Sequence, residues 1–105
     1  MTPITVRMTP PTPGTFIKHT ALPEEMSVAE AARHLGVSRQ SLYALLNDQR
    51  SITPEMAKRF ELAFGISAAM LINHQAWCDR HAADQREAEL AEEVTPFEWP
   101  QATSG

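Results

Sequence analysis

The segment from Ser38 to Ser51, SRQSLYALLNDQRS, concentrates side chains that can hydrogen-bond to a nucleic acid. An arginine can pair bidentately with guanine, and a glutamine or an asparagine can pair in the same way with adenine. Hydroxyl groups and further arginines suit phosphate oxygens. The candidate contact residues are Ser38, Arg39, Gln40, Tyr43, Asn47, Arg50 and Ser51.

Two short predicted helices meet at the start of this segment. Ser27 followed by Glu30 has the form of a capping box, so a helix is expected to begin at Ser27. Gly36 is expected to end that helix in a left-handed conformation. Only Val37 separates this glycine from Ser38, the next N-cap candidate, so the two helices must cross steeply, as in a helix-turn-helix.

The second of these helices has one apolar face, formed by Leu42, Leu45 and Leu46. Its opposite face carries the polar candidates, and in a helix-turn-helix its N-terminal end enters the DNA major groove. A helical bundle whose solvated face happens to contain arginine and glutamine would show the same local pattern. We therefore take DNA binding as the leading hypothesis and a protein-interaction module as an alternative.

Helix signals elsewhere predict an all-α fold of five helices. Pro13-Gly14 opens a short first helix that reaches about Thr20, and Thr53-Pro54-Glu55 is a strong start signal for the fourth helix. Ser67 is expected to cap a longer fifth helix, which is helical to about residue 93. The chain is thus divided into a flexible N-terminal arm (1–12), a DNA-binding and dimerisation domain (13–93) and a flexible acidic and aromatic tail (94–105).

The fifth helix is expected to form a homodimer interface. Met70, Leu71 and Ile72 are consecutive, so they cannot all face one core, and Trp77 adds further apolar surface. Recognition helices of such a dimer lie about one DNA turn apart, ~34 Å, and face an inverted repeat.

The charge is divided unevenly along the chain of 105 residues. The formal net charge is −4, but residues 1–60 contain seven Lys/Arg and five Asp/Glu, whereas residues 61–105 contain two and eight. The overall acidity is therefore compatible with a mildly basic DNA-binding half. No apolar run is long enough for a membrane span or a secretory signal, and Cys78 is the single cysteine, which agrees with a cytoplasmic location.

Other chemistries have weaker signals. His74, Cys78 and His81 recur on one helix face with spacing that could hold zinc, but no fourth ligand is evident unless Asp79 or a second subunit supplies it. The same cysteine and histidines lack the pocket and oxyanion donors that a catalytic pair needs, so no enzyme activity and no cofactor is expected. Phe97 and Trp99 are either a docking motif for a partner or part of a plain disordered end.

The segments PGTF, LGVSRQSL, LLNDQRSITPEMAKRF, FGIS and NHQAWCD resemble HigA-type antitoxins of the Xre/Cro-like helix-turn-helix family. The resemblance covers about Pro13 to Asp79. It departs at Thr15, where the family has glutamate, and at Trp77-Cys78-Asp79, near a family Tyr-Asp pair.

The resemblance implies a lambda-repressor-like five-helix domain that forms a homodimer and represses its own operon. It also implies a toxin partner of the RelE or HigB type, which cleaves mRNA on the ribosome. A stand-alone repressor of the same family, with no toxin partner, is the alternative.

Overall fold

The computed structural model describes residues 9–101, which form six helices and no strand within that range. The all-α class is confirmed, but the count of five helices is wrong by one. The predicted long fifth helix ends at Gln85 because the N–H of Arg86 turns back to the Ala83 carbonyl, three residues earlier, at 3.0 Å. A separate short helix follows. The helices are α1 (Pro13–Thr20), α2 (Val28–Leu35), α3 (Arg39–Leu46), α4 (Pro54–Phe64), α5 (Ala68–Gln85) and α6 (Glu87–Glu93).

The corner between α2 and α3 is built by the residues that predicted it. The Ser27 hydroxyl accepts a hydrogen bond from the Glu30 N–H at 3.1 Å, which caps the start of α2. Gly36 ends α2 with φ +74°, a conformation that costs a residue without Cβ nothing. Ser38 then caps α3 through the Ser41 N–H at 3.0 Å. The predicted steep helix-turn-helix connection is therefore present.

The core lies between the first five helices, and its largest fully buried side chains are those of Phe60, Ile17, Leu42 and Leu71. Leu71 was predicted to face a second subunit, but it is only 2% exposed within the single chain. The helical period turns it inward, towards the rest of this core. Met70 and Trp77 remain on the surface, 38% and 46% exposed, and Ile72 is half-buried against the core.

Part of the predicted N-terminal arm is packed on the domain. Pro10 is buried, the Pro11 carbonyl lies 3.3 Å from the Cys78 sulfur, and the Thr12 hydroxyl caps α1 through the Thr15 N–H. Contacts with the domain therefore begin at Pro10, within the segment predicted to be a flexible arm. Residues 1–8 and 102–105 lie outside the described residues, and residues 94–101 carry no regular secondary structure.

Candidate nucleic-acid interface

The N-terminal end of α3 presents two of the candidate contact residues to solvent. Arg39 and Gln40 are the first two residues of the helix and both are exposed, because Leu42, Leu45 and Leu46 turn the opposite face into the core. Tyr43, one turn later, is 50% exposed. Asn47 is the exposed C-cap of the same helix. These four side chains can therefore all meet a ligand that lies along α3.

The hydroxyl of Ser38, predicted to bind a phosphate, already has two partners. It accepts the Ser41 N–H at 3.0 Å and donates to the Ser41 hydroxyl at the same distance. Its oxygen is thus committed to capping α3. The Ser41 hydroxyl accepts in this pair and keeps its own hydrogen to donate, so Ser41 is the better placed of the two for an anion. Its position three residues after an N-cap serine was the signal in the sequence.

Arg50 and Ser51 lie in the loop that joins α3 to α4. Both are exposed, and within residues 9–101 no carboxylate lies within ion-pair distance of the Arg50 guanidinium. They line a small cavity of about 90 Å³. The Ser41 and Thr53 side chains also line it, so two hydroxyl-bearing residues from α3 and the start of α4 surround the same space as the arginine. This arrangement suits a phosphate oxygen.

Arg59 of α4 stabilises the corner between α2 and α3. Its Nη1 donates to the Leu35 carbonyl at 3.0 Å and more weakly to the Gly36 carbonyl at 3.4 Å, so α4 holds the C-terminal end of α2. Its Nη2 contacts the Glu55 carboxylate at 3.2 Å. Glu55, the acid closest to the start of α4, is therefore paired, which reduces its repulsion of a phosphate in this region.

The first turn of α1 packs directly against the last turn of α3. The Gly14 N–H donates to the Asp48 carboxylate at 2.7 Å, and a carboxylate at a helix N-terminus is favourable. A Cβ on Gly14 would lie 2.1 Å from the Leu46 carbonyl oxygen, so only glycine permits this approach. Asp48 itself has a positive φ of 62°. The beginning of the loop after α3 is thus held against α1 through its own Asp48.

The His74, Cys78 and His81 face does not form a metal-binding group within residues 9–101. The His74 ring is buried and stacks on Phe16, with ring centroids 3.9 Å apart and planes 9° from parallel. Burial raises the pKa of the Cys78 thiol, and the carboxylates of Asp79 and Asp48 add to that effect. A raised pKa favours the protonated thiol, whereas the nucleophilic form of cysteine is the thiolate. Beside the Pro11 carbonyl, the protonated thiol is a weak hydrogen-bond donor.

The burial of His74 predicts a loss of stability in mild acid. Burial lowers the pKa of this imidazole, and the backbone of Pro11 opposes the shift without cancelling it. The folded state therefore binds fewer protons than the unfolded state just below pH 6.5, so the free energy of unfolding falls as pH drops through that value.

A His74→Phe variant keeps an aromatic ring on Phe16, and its free energy of unfolding should depend less on pH between 7.5 and 5.5. Denaturant unfolding at both pH values measures the difference. The exposed His19→Gln variant is the surface control. If the free energy of unfolding changes equally with pH in the parent and in His74→Phe, the prediction is contradicted.

The helix-turn-helix family model matches residues 22–71, from just before α2 into the first turn of α5. An addiction module antidote protein of the HigA family from Coxiella burnetii has 30% sequence identity, with a TM-score of 0.70. That match covers 86% of this chain and 100% of the other. The chain belongs to the Xre-like helix-turn-helix family.

Two further relatives of this helix-turn-helix protein differ in what their names say. The HTH-type transcriptional regulator YbaQ of Escherichia coli strain K12 is 37% identical over 71 residues, 67% of this chain. The chain spans about 63% of the length of that curated relative. The structure of Pseudomonas aeruginosa antitoxin HigA with the higBA promoter has a TM-score of 0.72 and 28% identity, covering 85% of this chain and 99% of the other.

No helix among residues 9–101 of this chain combines the length and the apolar character that crossing a membrane requires.

Proposed function

We propose that this protein is a sequence-specific autorepressor and the antitoxin of a type II toxin–antitoxin pair. In this proposal it acts in the cytoplasm as a homodimer on an inverted repeat and neutralises a RelE-like mRNA-cleaving toxin. The observation that carries the DNA-binding part is the exposed N-terminal end of α3, with Arg39 and Gln40 outside and three leucines inside. Ser51 and Arg50 beside Ser41 and Thr53 supply the phosphate-binding part.

The antitoxin part is supported by the solved relatives that are named as an antitoxin or an antidote protein. The dimer part is supported by Met70 and Trp77, which leave large apolar side chains on the surface of α5. A stand-alone repressor is the second candidate. YbaQ favours it, because that uncharacterized relative is named only as an HTH-type transcriptional regulator and has higher identity than the solved antitoxins cited above.

Co-expression with the product of the adjacent gene tests the proposal. We expect a stoichiometric complex after purification, and we expect the chain alone to bind an inverted repeat upstream of its own coding sequence. Light scattering of the DNA complex should give the mass of one duplex with two chains. Binding to DNA without a protein complex would support the stand-alone repressor. A monomeric mass at micromolar concentration would contradict the dimer, and no preference for the inverted repeat would contradict both candidates.

A further inference from the structure

Gln75 on α5 makes a buried contact with the loop that carries Arg50 and Ser51. Its side-chain oxygen accepts the Ile52 backbone N–H at 3.0 Å, across 23 residues of sequence. Both residues are buried, at 8% and 5% exposure. A buried N–H needs an acceptor, and within the described chain Gln75 supplies the one for Ile52.

Asp79 determines which end of the Gln75 amide faces the loop. The Gln75 Nε2 donates to the Asp79 carboxylate at 2.9 Å, one helical turn further along α5. A carboxylate only accepts hydrogen bonds, so it selects the NH₂ end of the amide. The carbonyl end is then left for the Ile52 N–H. The two contacts together give Gln75 a single productive orientation.

The loop between α3 and α4 is therefore held at two separate points. At its beginning, the Asp48 carboxylate accepts the Gly14 N–H of α1 at 2.7 Å. At its end, the Ile52 N–H is held by Gln75 of α5. Arg50 and Ser51 lie between these points and are exposed. Their backbone position is thus set by α1 and α5, while their side chains remain available to a ligand.

We infer that Gln75, oriented by Asp79, is a positioning residue for DNA-backbone binding by Arg50 and Ser51. The inference rests on the proposed DNA-binding function and extends it to Gln75 on α5, which is not one of the predicted DNA-contact residues. A loop held before DNA arrives loses less conformational freedom on binding, and this increases affinity. Without Gln75, the loop must be ordered by the DNA itself, and the buried Ile52 N–H loses its partner.

The test is a double-mutant cycle on operator binding. Gln75→Leu keeps a similar volume and removes the acceptor, and Arg50→Ala removes the positioned guanidinium. We expect Gln75→Leu to weaken operator binding about tenfold in the parent chain. In the Arg50→Ala background the same change should cost much less, because the contact it positions is already absent. In both single variants, the slope of the logarithm of the binding constant against the logarithm of the salt concentration should become shallower by about one unit, which corresponds to one phosphate contact.

A rescue variant separates positioning from a general effect on folding. Gln75→Glu combined with Asp79→Asn keeps the net charge. The new asparagine can donate to the glutamate, whose oxygen still faces the Ile52 N–H. This double variant should recover most of the affinity that Gln75→Leu loses. If Gln75→Leu does not fold, this double variant provides the test instead. A double variant that is folded but binds the operator more weakly than the parent would count against the inference.

Two other outcomes would overturn the inference. One is an unchanged operator affinity in Gln75→Leu. The other is the same loss of affinity in the parent and in the Arg50→Ala background, since Gln75 would then act independently of the arginine. If the parent chain itself binds no operator, the proposed function fails and the inference fails with it. These results are distinguishable because the parent is measured in the same series.

Discussion

Replacement of Gly14 by alanine is expected to destabilise the protein by roughly 1–3 kcal/mol. Helix propensity alone predicts the opposite sign, because alanine in a helix is about 0.5–1 kcal/mol better than glycine. The new Cβ, however, would lie 2.1 Å from the carbonyl oxygen and 2.6 Å from the carbonyl carbon of Leu46. Both atoms are backbone, so a rotamer change cannot relieve the clash, and α1 must move away from α3.

Thermal or denaturant unfolding of Gly14→Ala measures the loss. Thr15→Ala is a suitable control, since the neighbouring Thr15 is exposed and its replacement should change stability by only about 0.5 kcal/mol. Movement of α1 would also disturb the 2.7 Å contact between the Gly14 N–H and Asp48, so operator binding should weaken even where the variant is folded. A variant as stable as the parent, or more stable, would show that α1 does not need this close approach.

The local signals of the sequence were sufficient for the helix-turn-helix. Ser27 and Ser38 are strong caps, and Gly36 is a strong stop, because each acts within one helical turn of its own position. The same is true of Thr53 before α4, whose hydroxyl accepts the Met56 N–H. Such signals depend only on residues that are close together in the sequence, so they can be recognised before the fold is known.

Features that depend on distant contacts could not be predicted in the same way. Leu71 lies in a run of three apolar residues, and only the orientation of α5 against the core shows that it faces inward. Gln75 has no local signature at all, since its partner Ile52 is 23 residues away. The end of α5 at Gln85 was also missed. Alanine-rich polar sequence continues through it, and the break depends on a shift in the backbone hydrogen bonds at Arg86.

The candidate site contains some features that the sequence predicts and others that only the structure shows. Arg39 and Gln40 were predicted from their residue types and positions, and they lie exposed, as expected of the first turn of α3. Ser38 was predicted as a phosphate contact, but its role as N-cap uses the same hydroxyl that the prediction assigned to DNA. Residue type and position therefore indicate which side chains can bind. The hydrogen bonds decide which of them still have a free donor.

Loss of the Arg39 or the Gln40 side chain should weaken binding to the operator by about 1–3 kcal/mol each, or roughly 5- to 150-fold. Both residues stand at the first turn of α3, where a helix in the major groove comes closest to the base edges. Arginine favours guanine and glutamine favours adenine through paired hydrogen bonds. Each alanine variant should therefore also lose discrimination at one base pair, which a phosphate contact would not do.

A control with the same change of charge distinguishes base contact from a general electrostatic effect. Arg80, near the far end of α5, is exposed and paired with Asp84 at 3.2 Å. Arg80→Ala should bind the operator like the parent. Both α3 side chains point outward, so their removal should leave the melting temperature nearly unchanged. Equilibrium binding of each variant to the operator and to duplexes with single base-pair changes, at two salt concentrations, measures affinity and discrimination together. If Arg39→Ala and Gln40→Ala both retain the parent's affinity and base preference, α3 is not the helix that recognises the sequence.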